Sequence, residues 1–106
     1  MHVASIEMEL VSRFRGWLYY ALATVTILDA DNNPVEGATV SGHWQGATTD
    51  TDSGVTDANG QVTFQSDRVW RASGQTFTFC VDEVTKTDWT YDSSANLETC
   101  DSITAP

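Results

Sequence analysis

The stretch WLYYALATVTIL at positions 17–28 sets the pattern for the chain. Apolar residues of modest size recur at every second position within it, namely Ala21, Ala23, Val25 and Ile27. In an extended backbone alternate side chains point to opposite faces, so these four share one face. A period of two over this length predicts a strand with one buried face.

The same alternation recurs in six further stretches. We predict strands at 4–10, 38–45, around 55, at 61–66, 76–81 and 85–91. Turn sequences separate them, such as Asn59-Gly60, which favours a tight hairpin. We expect Trp44 to be the buried tryptophan of the core and His43 to face outward. Loops are expected at 46–53 and 67–74, a turn near Asp82–Val84, and an irregular tail from 92 to 106. No long segment has helical periodicity, so seven antiparallel strands predict a β-sandwich.

The length and net charge of the chain limit the functions that it can have. The chain has 106 residues, and we expect residues 1–106 to form a single domain. Fifteen acidic residues against five Lys and Arg give a formal net charge of −10. Nucleic-acid and anionic membrane surfaces are therefore not the expected partners, since both attract basic proteins. No apolar run is long enough to span a membrane.

The composition also predicts a compartment. The chain has fifteen Thr and nine Ser but a single lysine, Lys86, and acidic Thr-rich β-proteins are common among secreted microbial domains. Cys80 and Cys100 permit one disulfide, the alternative being two buried free thiols. The segment 13–23 resembles a signal peptide. We reject this interpretation because the alternating pattern of a strand continues from it through residues 24–28. We expect an extracellular domain that is part of a larger secreted protein.

Two motifs carry a resemblance to a known family. The stretch DADNNPVEGATV at 29–40, followed by TDANGQV at 56–62, resembles bacterial immunoglobulin-like and carboxypeptidase-regulatory-like modules. In that pattern Pro34 and Gly37 shape a turn between strands of opposite sheets, and Asn59-Gly60 pairs the next two strands. The resemblance implies a seven-stranded immunoglobulin-like antiparallel β-sandwich with Greek-key connections.

The whole chain is similar to one subgroup of these modules. The matching stretches are Met1-His2-Val3, the Arg13–Trp17 region and Phe79 to Asp92. The subgroup looks like the C-terminal accessory domains of secreted hydrolases such as subtilisin-like proteases. This chain departs from it by carrying Cys80 and Cys100 and by lacking an acidic tail. The resemblance implies an accessory role but identifies no parent enzyme.

Catalysis is not expected. A Ser-His-Asp arrangement would need His2 or His43, and neither has a nucleophile nearby in sequence. An outward histidine on a strand is commonly an ordinary surface residue. We expect no enzymatic activity.

Acidic residues in predicted turns suggest a cation site. The carboxylates in question are Asp29, Asp31, Asp57, Asp82 and Glu83. The turns after the second, fourth and sixth strands of a sandwich lie at the same end, and Ca²⁺ is bound by clustered oxygen ligands. The alternative is that each Asp simply caps the backbone of its own turn. Calcium is the one cofactor that the sequence suggests.

Four of the five cations are arginines in two loops. Arg13 and Arg15 precede the second strand, and Arg68 and Arg71 precede the sixth, with Trp17 and Trp70 beside them. We expect the two loops to adjoin, because they lie at the same end of a sandwich. This arrangement predicts a docking surface for a partner domain or an acidic polymer. The alternative is local ion pairing with Asp50, Asp52 and Asp67.

Aromatic residues suggest a sugar platform. Trp89 and Tyr91 share a face of the last predicted strand, where exposed rings would stack on pyranose rings. The alternative is that the pair covers the core near the tail.

These features predict a non-catalytic accessory module of a secreted multidomain enzyme, acting as a spacer, stabiliser or substrate anchor. The alternatives are a carbohydrate-binding module that uses exposed Trp and Tyr, and an adhesin-type structural repeat. The expected partner is the attached catalytic domain of the same chain or an extracellular polymer such as a polysaccharide.

Overall fold

The computed structural model describes residues 1–106 as an all-β chain. Its strands are β1 (His2–Arg13), β2 (Leu18–Leu28), β3 (Thr39–Gly46), β4 (Asp50–Val55), β5 (Gln61–Gln65), β6 (Val69–Trp70), β7 (Thr76–Thr85) and β8 (Cys100–Thr104). Two short 3-10 turns lie at Phe14–Gly16 and Ser93–Ala95. No helix is long and apolar enough to cross a membrane.

The strands form two antiparallel sheets. The first has the order β1-β2-β5, with the two-residue β6 also paired to β2, and the second has the order β4-β3-β7-β8. The connection from Asp29 to Ala38 carries the chain from the first sheet to the second, and Gly37 within it has a φ of +78°. That left-handed backbone is one that glycine adopts without steric cost.

One hydrophobic core of 18 buried residues lies between the sheets. The inward face predicted for β2 is confirmed, because its four alternate apolar residues are fully buried. Trp44 on β3 is 1 % exposed. It packs edge-on against Phe79, the residue directly opposite it on β7. The prediction of Trp44 as the core tryptophan is therefore confirmed, and the period of two is what placed it.

The predicted turn near Asp82–Val84 is wrong. Strand β7 continues through these residues to Thr85, and Val84 is buried opposite Val40. The register shifts between Ser41 and Gly42, so a bulge on β7 accommodates Asp82. A bulge lets a charged residue lie inside a strand without placing it in the core.

The predicted strand at 85–91 is also wrong, because β7 ends at Thr85. The Trp89 N–H donates to the carbonyl of Lys86 at 2.9 Å, and Asp88 has a φ of +67°. A left-handed residue interrupts an extended backbone. Residues 86–92 therefore form a loop.

The structure has eight strands where the sequence predicted seven. Strand β8 lies in the tail that was expected to be irregular, β6 lies in the expected loop at 67–74, and β4 begins at Asp50 inside the expected loop at 46–53. Strand β8 pairs with β7. A disulfide joins Cys80 to the directly opposite Cys100, which confirms the predicted bridge.

The tail also covers part of the β1 edge. The Val3 N–H donates to the Asn96 side-chain oxygen at 2.7 Å, and the Ile6 N–H donates to Glu98 at 2.7 Å. Covering an edge in this way satisfies backbone groups that would otherwise be open to another strand. Met1 lies against Thr90 at one end of the sandwich, while Ala105 pairs with Gln75 at the other.

Candidate functional site: an arginine–aromatic cluster

The connection between β1 and β2 has an unusual backbone. Phe14 and Arg15 have φ values of +54° and +57°, followed by Gly16 at +88°. Left-handed backbone costs a residue with a side chain roughly 1–2 kcal/mol. The chain therefore reverses between Arg13 and Trp17 by a conformation that holds Phe14 outward, where its side chain is 65 % exposed.

Strand β6 brings the second arginine loop to this connection. Leu18 pairs with Trp70, and the Arg71 N–H donates to the Trp17 carbonyl at 2.7 Å. Arg71 is a third non-glycine residue with positive φ in this region, at +57°. The two loops predicted to adjoin are therefore brought together by backbone pairing.

The register places Arg13, Tyr20 and Trp70 on the outer face of the first sheet. Leu18 lies opposite Arg13 on β1 and opposite Trp70 on β6, so the three form a row. Tyr20 lies opposite Val11 in the next row. We call the whole set the arginine–aromatic cluster, which comprises Arg13, Phe14, Arg15, Trp17, Tyr20, Arg68, Trp70 and Arg71.

Three of the four arginines in the cluster lie over an aromatic ring. The guanidinium carbons of Arg13 and Arg68 lie 6.0 and 5.9 Å from the centroid of the Tyr20 ring. The Phe14 and Trp70 rings stack, with centroids 5.4 Å apart and planes at 22°. Each cation–π contact at an exposed site contributes about 0.5–1 kcal/mol. The contacts bring Arg13 and Arg68 onto one tyrosine ring and pair the exposed Phe14 and Trp70 rings.

None of the four arginines has a carboxylate within 4.0 Å, since the His43–Asp82 pair is the only salt bridge in the structure. The three acids expected to neutralise them have other partners. Asp52 accepts from the Trp44 indole N–H at 3.2 Å, Asp67 from the Thr48 hydroxyl at 3.4 Å, and Asp50 from the Thr51 N–H at 2.9 Å. In a chain with fifteen acidic residues the ion-paired alternative is therefore not realised.

The cluster also exposes apolar surface. Trp17 is 55 % exposed and Trp70 is 60 % exposed, beside the exposed Phe14. Phe14 and Trp70 form a stacked pair of exposed rings, and exposed apolar surface of this kind marks interaction sites when it is contiguous. Sequence reasoning did not place Phe14 or Tyr20 in this cluster. The available signals were the position of Phe14 between two arginines and the outward register of Tyr20 next to the inward Tyr19.

The predicted sugar platform of Trp89 and Tyr91 does not have the geometry that the sequence predicted. Trp89 is 42 % exposed and lines an open groove at the opposite end of the strands, together with Tyr91 and several threonines. The Lys86 ammonium lies 5.0 Å from the Trp89 ring centroid and so covers one face of the ring. Tyr91 packs against the core, and its hydroxyl accepts a hydrogen bond from Asn96 at 2.7 Å. Trp89 and Tyr91 therefore share a groove but do not form a flat strip on one strand face.

The acidic residues proposed to bind calcium are not gathered into one site, since no three His, Cys, Asp or Glu residues lie close enough together to hold a metal ion. Asp82 and Glu83 lie within β7 and not in a turn, which corrects the premise of the prediction. Asp29 accepts the backbone N–H groups of Asp31 and Asn33. Asp57 accepts those of Asn59 and Gln61 in the same way. These two side chains cap their own turns.

His43 pairs with a residue that the sequence did not link to it. Its Nδ1 lies 2.9 Å from both carboxylate oxygens of Asp82. This hydrogen bond raises the pKa of His43 above its usual 6.5, and partial desolvation opposes the rise. No serine or threonine hydroxyl hydrogen-bonds to the ring. His2 has no side-chain hydrogen bond.

Comparison with protein-family models, with curated proteins and with solved structures gives no match to this chain. The resemblance to immunoglobulin-like accessory modules therefore stays a prediction. The geometry of the cluster is the main ground for a functional proposal.

Proposed function

We propose that this chain is a non-catalytic accessory module of a secreted protein, and that it anchors its parent protein to a negatively charged extracellular polymer. The binding surface is the arginine–aromatic cluster. The single observation that carries the proposal is that four exposed arginines, in a chain of net charge −10, have no carboxylate partner, while three of them lie over aromatic rings.

Electrostatics supports this assignment. Arg13 and Arg68 converge on one ring, and neither has a carboxylate within 4.0 Å to offset their mutual repulsion. A bound anion would offset that repulsion and would accept the planar N–H groups of the guanidinium in pairs. Elsewhere the abundant acidic residues repel the same ligand, so binding is confined to one end of the molecule.

Backbone conformation supports it as well. Three of the five non-glycine residues with positive φ belong to the cluster, namely Phe14, Arg15 and Arg71. Backbone strain of this kind concentrates at binding sites, where it is retained because the arrangement has a use.

The immunoglobulin-like architecture is part of the proposal. If the two-residue β6 is set aside, seven strands remain, with the first, second and fifth in one sheet and the fourth, third, sixth and seventh in the other. The immunoglobulin constant-type order differs only in keeping its fourth strand in the first sheet. An extracellular location is supported by the Cys80–Cys100 disulfide, since such bonds persist in oxidising compartments.

A structural repeat is the second candidate, and the placement of the first and last residues favours it. Met1 and Ala105 lie at opposite ends of a molecule whose longest dimension is 45 Å. Modules joined end to end would extend a chain by about that length each. In that case the cluster would contact the next module instead of a polymer.

The test is a charge-reversal experiment with a matched control. Arg68→Glu and Lys86→Glu each change the formal net charge from −10 to −12, but only Arg68 belongs to the cluster. We expect the unmodified protein to bind at least one of three polyanions, which are polygalacturonate, heparin and polyglutamate. Arg68→Glu should abolish this binding and Lys86→Glu should leave it nearly unchanged. Failure to bind any of the three, or equal losses in the two variants, would contradict the proposal.

A further inference from the structure

We infer that the ligand of the arginine–aromatic cluster is an acidic polysaccharide, whose sugar rings stack on the exposed aromatic rings while its acid groups pair with the arginines. This inference rests on the proposed function and specifies its ligand. It uses a feature that a purely electrostatic anchor would not need, which is the exposed aromatic surface.

The aromatic side chains provide flat apolar contacts. Phe14 and Trp70 stack on each other, and Trp17 lies on the adjoining segment, which is joined to the second loop through Arg71. The C–H face of a pyranose ring is apolar and stacks on an aromatic side chain, whereas polyglutamate and polyphosphate have no ring that could do so. Aromatic rings give large contact area at low conformational cost.

The arginines provide the second half of the recognition. The Arg71 guanidinium carbon lies 5.4 Å from the Trp17 ring centroid, so it covers one face of the indole and places the guanidinium beside the exposed part of the ring. A carboxylate or sulfate on a sugar ring accepts a guanidinium in bidentate fashion. An acidic sugar presents both chemistries in one residue.

Charge distribution favours a polysaccharide over a nucleic acid, which also offers rings and anions. The outer face of the first sheet becomes acidic beyond the cluster, because Glu9 lies opposite Leu22 and Glu7 lies opposite Thr24. A single-stranded nucleic acid carries a charge on every nucleotide and is bound along extended basic grooves. The cluster has only four arginines and is bordered by Glu9 and Glu7, so it offers no such groove.

The experiment compares ligands with and without rings. Binding of polygalacturonate, polyglutamate, neutral dextran and oligo-dT is measured by titration calorimetry at low and high salt. We expect polygalacturonate to bind most tightly and its affinity to fall with salt. Trp70→Ala should weaken polygalacturonate binding by about tenfold, because the variant loses the contact between a sugar ring and the Trp70 ring.

Controls separate this inference from the proposed function. Trp89→Ala, which changes an exposed tryptophan outside the cluster, should leave binding unchanged, and circular dichroism should show that Trp70→Ala and Trp17→Ala remain folded. If polyglutamate binds as tightly as polygalacturonate and Trp70→Ala has no effect, the polysaccharide inference is overturned while the anionic anchor stands. Tighter binding of oligo-dT would replace it with a nucleic-acid ligand. If no polyanion binds, both proposals fail together.

Discussion

Arg71 contacts Trp17 in two ways, since its backbone N–H donates to the Trp17 carbonyl at 2.7 Å and its guanidinium lies 5.4 Å from the Trp17 ring centroid. The backbone bond joins the two arginine loops. The side-chain contact holds the charge against the ring without a carboxylate nearby. The backbone N–H of Arg71 therefore contributes to the fold, while its guanidinium contributes to the binding surface. A substitution that removes only the side chain can separate the two contributions.

Arg71→Gly is expected to separate stability from binding. Glycine keeps the backbone N–H and tolerates the positive φ of +57°, so the free energy of unfolding should stay within about 1 kcal/mol of the original. Binding to a polyanion should weaken because the guanidinium is lost. Urea unfolding and calorimetry measure the two quantities. A loss of several kcal/mol in stability would contradict a mainly ligand-directed role for this side chain.

The His43–Asp82 pair predicts a pH dependence of stability. The hydrogen bond to Asp82 raises the pKa of His43 above 6.5, so the protonated ring stabilises the folded state below pH 6.5. That contribution is lost as the pH rises through the folded-state pKa. The ring is about one-third exposed, so solvent screening limits the effect to under about 1 kcal/mol. In thermal unfolding from pH 5.5 to 8.5, His43→Gln should remove this decline, and an unchanged decline would assign it to other groups.

The disulfide is expected to stabilise the second sheet. Cys80 and Cys100 are 20 residues apart, and closing a loop of this length contributes about 3 kcal/mol in the chain-entropy model. The double variant Cys80→Ser, Cys100→Ser should be less stable by that amount in urea unfolding. A reducing agent should destabilise the original protein and leave the double variant unchanged. Equal stability of reduced and oxidised protein would contradict the prediction.

Substitution of the turn carboxylates Asp29 and Asp57 can distinguish a capping role from calcium binding. Asp29→Ala and Asp57→Ala each remove a side-chain acceptor for two backbone N–H groups, which should cost about 1 kcal/mol each. If they act only as caps, neither calcium nor EDTA should shift the melting temperature. A calcium-dependent rise that either variant abolishes would restore a cation site at these turns.

Much of the fold was predictable because it follows from alternation alone. The inward faces of β2 and β3 carry apolar residues at every second position, which is how Trp44 could be placed in the core. Strand β8 was missed because its outward residues, such as Ser102 and Thr104, give weak contrast with the inward ones. The end of β7 was missed because alternation continues through Thr87 and Trp89 while the backbone turns at Asp88.

The candidate site was predictable only in part. Charge bias identified the two arginine loops, and the topology of a sandwich placed them at one end. The absence of ion pairs could not be read from the sequence, because it depends on Asp52 and Asp67 finding other partners. The positions of Phe14 and Tyr20 depend on a left-handed connection and on strand register, which alternation does not fix.

Binding of an acidic oligosaccharide to the cluster can be followed through the indole N–H signals in a two-dimensional NMR titration. The chain has four tryptophans, of which Trp17 and Trp70 lie in the cluster, Trp44 lies in the core and Trp89 lies at the opposite end. If the cluster binds the oligosaccharide, we expect the Trp17 and Trp70 signals to shift progressively while those of Trp44 and Trp89 stay in place. Shifts of Trp89 alone, or no shift of any indole signal at saturating ligand, would contradict it.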